Sequence, residues 1–412
     1  MSLALSSTIR KTRAVKWSPL GNEALIVECH APAEFAKQLR DTRPSECLDV
    51  VSSYRHLAVY FSPADSEVIQ EWLSKQTPSE NSTLPRQHQI PVWYDQDWLT
   101  EFSDELSLSI EEIISLHSSA TYTVAALGFS PGFPYLTGLP KKLQLPRKDT
   151  PARLPAGTVA IAADQAGIYP NDSFGGWHPL GLTDAPLFNP DQSPHSLLEP
   201  SDELTFLPVA DKPSPVTRPS AQENSSSPTL TIESAGPATS IQDPGRPGHR
   251  HLGITSGGCA DPEMATALNL LLGNQQEAPV LEFALEAPVI RFAKPTSFAF
   301  LGPQHPQAGR VINIRAGQVL DLKNSAMQSS FGVLAIKSGF DVPKLLKSAA
   351  TDIRGSFGGK LIQKGDSLRH RVVEDYHKSN GNSHSPAIRW PLMSSNSLTV
   401  RILSGEHSDW FP

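Results

Sequence analysis

Cysteine and long apolar runs are scarce in this sequence, and basic residues are outnumbered by acidic ones, 35 to 42. Its 412 residues include only three cysteines, Cys29, Cys47 and Cys259, which are odd in number and far apart. Neither a disulfide framework nor a zinc-ligand spacing is visible, and a reducing compartment fits. No apolar run approaches the roughly 20 residues that span a bilayer, and the N-terminal charges follow the apolar stretch, the reverse of a secretion signal. We expect a cytoplasmic protein.

The charge balance is mildly acidic. A formal net charge of -7 gives no reason to expect nucleic acid or an acidic membrane as a partner. The composition, 39% hydrophobic and 19% charged, is ordinary for a globular protein, and the 37 prolines favour short strands and turns over long helices. At about 100–200 residues per domain, the length predicts two or three domains.

A Pro- and Ser-rich segment at residues 211–228 predicts a linker, because it has almost no large apolar residue to bury. Before it, a polar stretch separates an N-terminal α+β domain at 1–84 from a second domain at 85–210. After it, residues 229–412 form the last predicted domain.

Apolar patterning predicts a chain of short strands with few helices. In the first domain, residues 24–29 and 57–61 read as strands and 32–40 and 64–75 as helices. A further helix is predicted to start at Ser109, with Glu112 three residues later as a capping box. Strands broken by Gly and Pro dominate the rest, apart from a helix at 264–272. The predicted fold class is mainly β with α+β parts.

Residues 128–132 read Gly-Phe-Ser-Pro-Gly and match the G-x-S-x-G pattern of a serine-hydrolase nucleophile elbow. An elbow needs a backbone N–H after the serine and a helix next. Pro131 has no N–H, and residues 133–140 are turn-like. The pattern instead predicts a loop that packs Phe129, Phe133 and Tyr135 at the edge of a pocket.

Two other motifs fail as cofactor sites. Residues 354–361 (RGSFGGKL) have Arg in place of the leading Gly of a phosphate loop and Leu361 in place of its Ser/Thr, so ATP is expected on another polypeptide. His249 and His251 lie two residues apart, but no nearby Cys/His cluster supplies more ligands, and no metal site is predicted.

The stretch at 146–183 holds the richest set of polar groups. An apolar strand precedes a Gly-rich loop that carries Gln165, Tyr169, Ser173 and Trp177. Glycines let backbone amides approach a ligand, and Gln, Tyr and Ser offer neutral hydrogen bonds, which suits a small amide or carboxylate. A glycine-rich turn filled with packed aromatics is an equally open interpretation of these residues.

Several long motifs resemble a known family. Residues 128–139 (GFSPGFPYLTGL), 146–162 and 167–181 resemble the first allophanate-hydrolase-type subunit, which is also known as the B-type small subunit of 5-oxoprolinase. Residues 234–258 (SAGPATSIQDPGRPGHRHLGITSGG), together with the shorter motifs at 267–274, 281–292 and 351–359, resemble the second, C-type small subunit. The chain therefore resembles a fusion of the two.

The resemblance implies a cyclophilin-like β-barrel in each half and a small N-terminal α+β domain. It also implies a third, large subunit that binds ATP and Mg²⁺ while this chain helps to open 5-oxoproline to glutamate. No cofactor is expected on this chain itself, and a homo-oligomer is possible.

Site residues follow from the resemblance, position by position. The second-half motif contributes Asp243, Arg246 and His251 as catalytic candidates, beside Gln242. It also contributes three polar candidates for substrate binding, which are Asp261, Glu282 and Asp352. Either Asp243 or His251 is the hypothetical general base.

The sequence departs from the family pattern at three places. Leu182 stands where the first motif has Arg, and Ala166 where a Thr commonly follows the Gln. The third departure is length, because the family's second small subunit continues for roughly another hundred residues. We expect an incomplete second lobe.

Two other functions stay open. The same modules resemble a bacterial pair in which one protein inhibits a sensor histidine kinase and the other antagonises it. They also resemble the carboxyltransferase part of urea carboxylase, although the nearest approach to a biotin attachment motif is Ala326-Met327-Gln328.

Overall fold

The computed structural model describes residues 15–78, 84–214, 227–327, 330–353, 355, 357–370 and 387–388. They divide into two compact units. The first unit contains the described residues up to 214 together with Pro247–Ile254, and the second contains residues 227–246 and those from Thr255 onward. Most of the predicted linker, 215–226, lies outside the described residues.

The first unit begins with a small α+β domain. Four antiparallel strands form a sheet in the order β1-β2-β4-β3, and two helices bury their apolar sides against it. Helix α1 buries Phe35, Ala36 and Leu39, which recur at the helical spacing of one face. The elements are β1 (Trp17–Leu20), β2 (Ala24–Glu28), α1 (Pro32–Thr42), β3 (Cys47–Ser52), β4 (His56–Phe61) and α2 (Ser66–Ser74).

A closed barrel of seven strands follows in the same unit, in the order β10-β7-β6-β13-β5-β12-β9. Its strands pair antiparallel except β13 with β5, which are parallel. Strands β8 and β11 pair antiparallel in a separate two-stranded sheet outside the ring. The elements are β5 (Gln87–Tyr94), α3 (Gln96–Leu106), α4 (Ile110–Ser119), β6 (Tyr122–Leu127), β7 (Pro134–Thr137), β8 (Ala152–Leu154), β9 (Thr158–Ala162), β10 (Gln165–Ile168), β11 (Ser173–Gly175), β12 (His178–Leu182) and β13 (Glu203–Pro208).

The two barrel helices show how local sequence sets helix starts. The capping box at α4 is confirmed: the Glu112 N–H donates to Ser109 Oγ at 3.2 Å, and the Ser109 N–H donates to the Glu112 carboxylate at 2.9 Å. Helix α3 was not predicted. Its N-cap, Asp95, accepts from the N–H groups of Asp97 and Trp98, and this cap was the available signal.

The second unit consists of two antiparallel sheets. Their order is β20-β17-β14-β22 and β15-β16-β21-β18-β19. Apolar side chains from both sheets meet in one core, with Phe283, Phe292, Phe298 and Phe300 fully buried. The elements are β14 (Leu230–Ser234), β15 (Ala238–Gln242), α5 (Pro262–Leu271), β16 (Val280–Ala284), β17 (Val289–Phe292), β18 (Thr296–Leu301), β19 (Ile312–Ile314), β20 (Val319–Asp321), β21 (Phe331–Ile336) and β22 (Ser367–Leu368).

The predicted fold class, mainly β with α+β parts, is confirmed. A closed barrel stands in the first unit, whereas the described strands of the second unit lie in two sheets. Among the described helices, none has both the length and the apolar character that crossing a membrane requires.

Candidate functional site

A cavity of about 250 Å³ opens on the barrel of the first unit. Aromatic side chains form its wall, and they meet edge to face: the Phe133 ring lies 5.2 Å from Tyr169 and 5.7 Å from Trp177. Such edge-to-face contacts hold the rings in fixed positions relative to one another. The lining residues are Phe129, Phe133, Tyr135, Arg147, Lys148, Pro151, Tyr169, Phe174, Gly175, Gly176 and Trp177.

Tyr169 is the most constrained polar group of this wall. Its side chain is 2% exposed, and burial raises the pKa of its hydroxyl to about 12 although Arg147 lowers it. A side chain at Gly175 would collide with the Tyr169 hydroxyl, so glycine is required there. The hydroxyl donates to no other residue in the described part of the chain, which leaves it available to a molecule in the cavity.

Two cations lie at the cavity, and the sequence had not pointed to either. Lys148 is balanced by Glu101, with Nζ 2.8 Å from the carboxylate. Arg147 is exposed and forms no ion pair with the described residues. Burial raises the pKa values of Tyr135 and Tyr169, and the nearby charge of Arg147 offsets part of that rise. Because Glu101 balances Lys148, Arg147 supplies the one unbalanced positive charge among the described residues that line the aromatic cavity.

The predicted Gly-rich set is only partly brought together. Tyr169 and Trp177 line the cavity, whereas Gln165 and Ser173 are not among its lining residues. Gln165 begins β10 and pairs with Ala162, and Ser173 begins β11 opposite Leu154.

The loop at 128–132 borders the same cavity through Phe129 and Phe133. Strand β7 follows it in place of the helix that a nucleophile elbow needs. Phe129, rather than the serine, has the strained φ of 66°. Ser130 is buried, and its N–H donates to the Gly128 carbonyl at 2.7 Å. The loop is therefore a wall of the cavity, as the Pro131 argument predicted.

His251 belongs to the first unit, although its motif lies in the second half of the sequence. Its Nδ1 lies 3.0 Å from Oδ1 of Asp49, and its backbone N–H donates to Oδ2 of the same carboxylate at 3.3 Å. Burial alone would raise the pKa of Asp49, but the hydrogen bond and charge of His251 bring it below its ordinary value. Sequence reasoning missed Asp49 altogether.

Asp243 lies in the second unit, and both oxygens of its carboxylate accept hydrogen bonds. Oδ1 accepts the Gly245 N–H at 2.8 Å and the Ser348 hydroxyl at 2.6 Å. Oδ2 accepts the Ala349 N–H at 2.7 Å. These bonds join two loops of the unit, so the structure gives Asp243 a loop-shaping role beside whatever chemistry it performs.

Arg246 is the largest fully buried side chain in the described part of the protein. Its Nε donates to the Leu345 carbonyl at 3.4 Å, and Nη2 donates to the Ala350 carbonyl. The guanidinium lies over the Phe357 ring at 4.9 Å. Burial lowers its pKa, while Asp243 and Asp352 raise it, so three predicted residues share one neighbourhood.

Asp352 and one more predicted residue, Gln242, hold the same region together. Asp352 accepts the Thr255 hydroxyl at 2.6 Å and the Gly355 N–H at 2.8 Å. Gln242 donates from Nε2 to the Thr351 carbonyl at 3.1 Å. These two acceptor bonds of Asp352 stay within the unit and close its loops.

Asp261 and Glu282 lie around Cys259. Asp261 caps helix α5 by accepting the Met264 N–H at 2.9 Å, and it lines a second cavity of about 330 Å³. Glu282 accepts the Ala260 N–H at 2.7 Å. Burial, Glu282, Asp243 and Asp261 together raise the pKa of the Cys259 thiol to about 12, so this cysteine stays protonated.

Metal ligation finds no support in the described ranges. No group of three or more His, Cys, Asp or Glu side chains there is placed to hold an ion. His251 is engaged with Asp49, and the His249 ring lies 6.3 Å from that of His195.

Comparison with known proteins agrees with this two-part organisation. Residues 15–198 match the family described as carboxyltransferase domain, subdomain C and D, and residues 252–412 match carboxyltransferase domain, subdomain A and B. The 5-oxoprolinase B subunit of Bacillus subtilis (strain 168) is 36% identical over 208 residues, which are 46% of this chain and 86% of that protein. The chain belongs to the carboxyltransferase-domain family.

Other members of the family match the same chain. The 5-oxoprolinase C subunit of Escherichia coli (strain K12) is 34% identical over 150 residues, 34% of this chain and 48% of that protein, so the chain spans about half of it. Urea amidolyase of Saccharomyces cerevisiae is 30% identical over 155 residues, 34% of this chain but 8% of that protein. The crystal structure of TTHA0988 is 30% identical with a TM-score of 0.76, covering 89% of this chain and 77% of that one.

Proposed function

We propose that this carboxyltransferase-domain chain combines the roles of the B-type and C-type small subunits of 5-oxoprolinase and helps to open 5-oxo-L-proline to L-glutamate. The order of its two family matches, C–D subdomains and then A–B subdomains, supports a fused pair. The relatives named as 5-oxoprolinase small subunits support the substrate.

The barrel cavity is the observation that carries this proposal furthest. 5-Oxoproline is a small flat lactam with one carboxylate, and the cavity offers an aromatic wall with one unbalanced cation, Arg147, at its edge. We assign the carboxylate to Arg147 and a lactam polar atom to the Tyr169 hydroxyl. Charge-assisted and neutral hydrogen bonds would then orient the ring against the aromatic wall that includes Phe133 and Trp177.

ATP is assigned to a separate large subunit. The phosphate-loop-like stretch of this chain lacks the required Gly and Ser/Thr. A lactam is a poor electrophile, and transfer of the γ-phosphoryl group of ATP to its oxygen would activate it. ATP and Mg²⁺ would therefore act on the partner, while this chain binds and orients the substrate.

Mixing the purified chain with the large ATP-using subunit from the same cell tests the proposal. Glutamate should form only when the chain, the large subunit, ATP and 5-oxo-L-proline are all present. Robust hydrolysis by this chain alone, or no glutamate from the complete mixture, would contradict it.

Calorimetry on this chain tests the assignment of Arg147. Removing a charged hydrogen-bond partner costs about 1.5–3 kcal/mol, so Arg147→Ala should weaken 5-oxo-L-proline binding about 10- to 100-fold. Arg153→Ala is the matched control, because Arg153 pairs with Asp172 outside the cavity wall. Binding of 2-pyrrolidinone, the lactam without the carboxylate, should be the same in all three proteins.

A carboxyltransferase role, as the two family descriptions name it, is the second candidate. Those descriptions and the urea amidolyase match favour it. A carboxylated biotin carrier with urea as acceptor would be the assay. Carboxyl transfer to urea in that assay, together with no turnover of 5-oxo-L-proline, would favour the carboxyltransferase role over the 5-oxoprolinase role.

A further inference from the structure

The turn Arg250–Leu252 brings a histidine from the second half of the sequence onto the first unit. It docks through contacts that do not involve the His251 ring. The Leu252 carbonyl accepts the Gly132 N–H at 3.0 Å, and the Arg250 guanidinium lies 4.5 Å from the centre of the Tyr60 ring. The turn is therefore held in place whether or not the imidazole has a partner.

The same docking places the turn against the cavity loop. Gly253 has a φ of 77°, and a side chain there would lie 2.7 Å from the Ser130 carbonyl. Only glycine lets the two backbones approach so closely. The loop in question carries Phe129 and Phe133, which line the barrel cavity.

Asp49 is built to hold the imidazole in one orientation. A register shift between Cys47 and Asp49 in the β3–β4 pairing breaks the alternation of the strand, and Asp49 is 0% exposed. Its carboxylate accepts backbone N–H groups from Val50 and His251 and one side-chain hydrogen bond, from His251 Nδ1. Arg43 stays 3.9 Å away, beyond hydrogen-bond distance.

The bonding of this carboxylate determines the tautomer of the histidine. An ionised carboxylate accepts only, so the proton of a neutral imidazole must be on Nδ1, and the lone pair must be on Nε2. The His251 side chain is 25% exposed, and within the described residues Nε2 has no hydrogen-bond partner. Nε2 is free to take a proton.

A second His–Asp pair in the same unit shows what a purely structural pair looks like. His88 Nε2 lies 3.2 Å from Asp202, but that carboxylate also accepts Arg86 Nε at 2.9 Å and the Glu199 N–H at 2.8 Å. Arg86 already neutralises it. Asp49 has no such cation in hydrogen-bond contact, and its only side-chain donor among the described residues is His251.

We propose that His251, on the turn that packs against the cavity loop and not itself among the cavity-lining residues, is a proton acceptor and that Asp49 is its positioning residue. A proton passes from bound water to Nε2, the ring becomes an imidazolium, and the Asp49 carboxylate stabilises the new charge. This inference rests on the proposed function for the identity of the substrate. The orientation of the imidazole by Asp49 is independent of the proposed function.

Kinetics of the complete assembly with 5-oxo-L-proline test the catalytic part. His251→Gln and Asp49→Asn should each lower kcat about 100-fold or more with KM little changed, as expected for loss of a general base or its tautomer. Asp49→Glu should recover part of the rate. His88→Gln, the matched control, should leave kcat unchanged. Full kcat in an active assembly with His251→Gln overturns the proposal.

Nitrogen-15 spectra of the full chain, with labelled histidine, test the positioning part without any turnover. Comparison with His251→Gln identifies the His251 signals, which should show the proton on Nδ1 at neutral pH. Asp49→Asn should shift the equilibrium towards the Nε2–H form. An Nε2–H tautomer in the wild-type chain would overturn the proposal. An inactive assembly with the Nδ1–H tautomer present would instead reject the proposed function and, with it, the catalytic role of His251.

Discussion

The barrel cavity of the first unit contains predicted substrate-binding residues, and the polar cluster of the second unit contains predicted catalytic and substrate-binding residues, yet their bonding differs. At the cavity, Tyr169 and Arg147 keep hydrogen-bonding capacity for a ligand. In the second unit, Asp243 and Asp352 give their oxygens to the N–H and hydroxyl groups of neighbouring loops. An Asp/Arg/Gly-rich motif therefore predicts loop shaping as readily as it predicts catalysis.

The largest test of this difference is Asp243→Asn. Removing the charge leaves the buried Arg246 with less compensation and breaks or weakens the loop-joining hydrogen bonds. Breaking a buried charge arrangement costs about 3–5 kcal/mol, and the second unit should lose stability on that scale. Urea unfolding of the full chain measures it.

The matched control is Asp321→Asn. That exposed carboxylate accepts one N–H, from Lys323 at 3.0 Å, and the substitution should change stability by less than about 0.5 kcal/mol. Unchanged stability of Asp243→Asn, combined with lost turnover in the assembly, would show that catalysis rather than loop shaping is its main role.

Acid should destabilise the first unit through His117. This histidine is fully buried, stacks on Phe206 at 4.5 Å and bonds the Tyr94 hydroxyl at 2.7 Å. Burial lowers its pKa to about 3, against about 6.5 in the unfolded chain. Below about pH 6.5 the unfolded state therefore binds more protons than the folded state. The contribution of neutral His117 to the free energy of unfolding is complete above that pH and falls by about 1.4 kcal/mol per pH unit below it.

At pH 5 the loss is therefore about 2 kcal/mol. His117→Phe keeps the ring packing and removes the titrating group, so its stability should be less dependent on pH over the same range. Urea unfolding of both proteins between pH 7 and pH 5 is the measurement. Equal slopes in the two proteins would contradict a buried, neutral His117.

Two tyrosines separate binding from packing in the first unit. The Tyr122 hydroxyl donates to the His117 carbonyl at 3.1 Å, whereas the Tyr169 hydroxyl faces the cavity. Tyr122→Phe should cost about 1 kcal/mol of stability and leave ligand binding alone. Tyr169→Phe should weaken 5-oxo-L-proline binding with little change in Tm. The reversed result would mean that Tyr169 serves packing only.

Local patterns predicted much of the first unit. Apolar periodicity located α1 and α2, and the Ser109–Glu112 spacing located the start of α4, because both signals are confined to neighbouring residues. Tyr169 and Trp177 were found for the same reason, since one Gly-rich segment carries both. Pro131 argued against a serine nucleophile, and strand β7, not a helix, follows the loop.

Contacts between distant segments could not be predicted in this way. Asp49 and His251 are separated by 202 residues, and nothing near Asp49 distinguishes it from a solvated carboxylate on a strand. The bulge that turns Asp49 inwards depends on its pairing with β4. The candidate role of Arg147 likewise depends on closure of the barrel, which places this residue near Tyr135 and Tyr169.

The smallest expected effect is that of Glu282→Gln in the second unit. This substitution should raise stability at pH 7, whereas Asp243→Asn in the same unit should lower it. Burial raises the pKa of Glu282, Asp261 raises it further, and the Ala260 N–H only partly compensates. The fold thus disfavours the ionised form, so this group's stabilising contribution is present below about pH 4.3 and is lost as pH rises through its folded pKa. At pH 7, Glu282→Gln should stabilise the unit by less than about 1 kcal/mol, since the amide oxygen can still accept the Ala260 N–H.

Urea unfolding of Glu282→Gln at pH 7 and at pH 4 measures this effect, and the gain should shrink at the lower pH. Glu263→Gln is the control: Glu263 lies exposed in the first turn of α5, where its charge favours the helix, so the substitution should cost a few tenths of a kcal/mol. A loss of stability in Glu282→Gln at pH 7 would show that the carboxylate is held as firmly as that of Asp243. Asp243 and Glu282 would then both be stabilising carboxylates of the second unit, and the difference in bonding would lie between the two units.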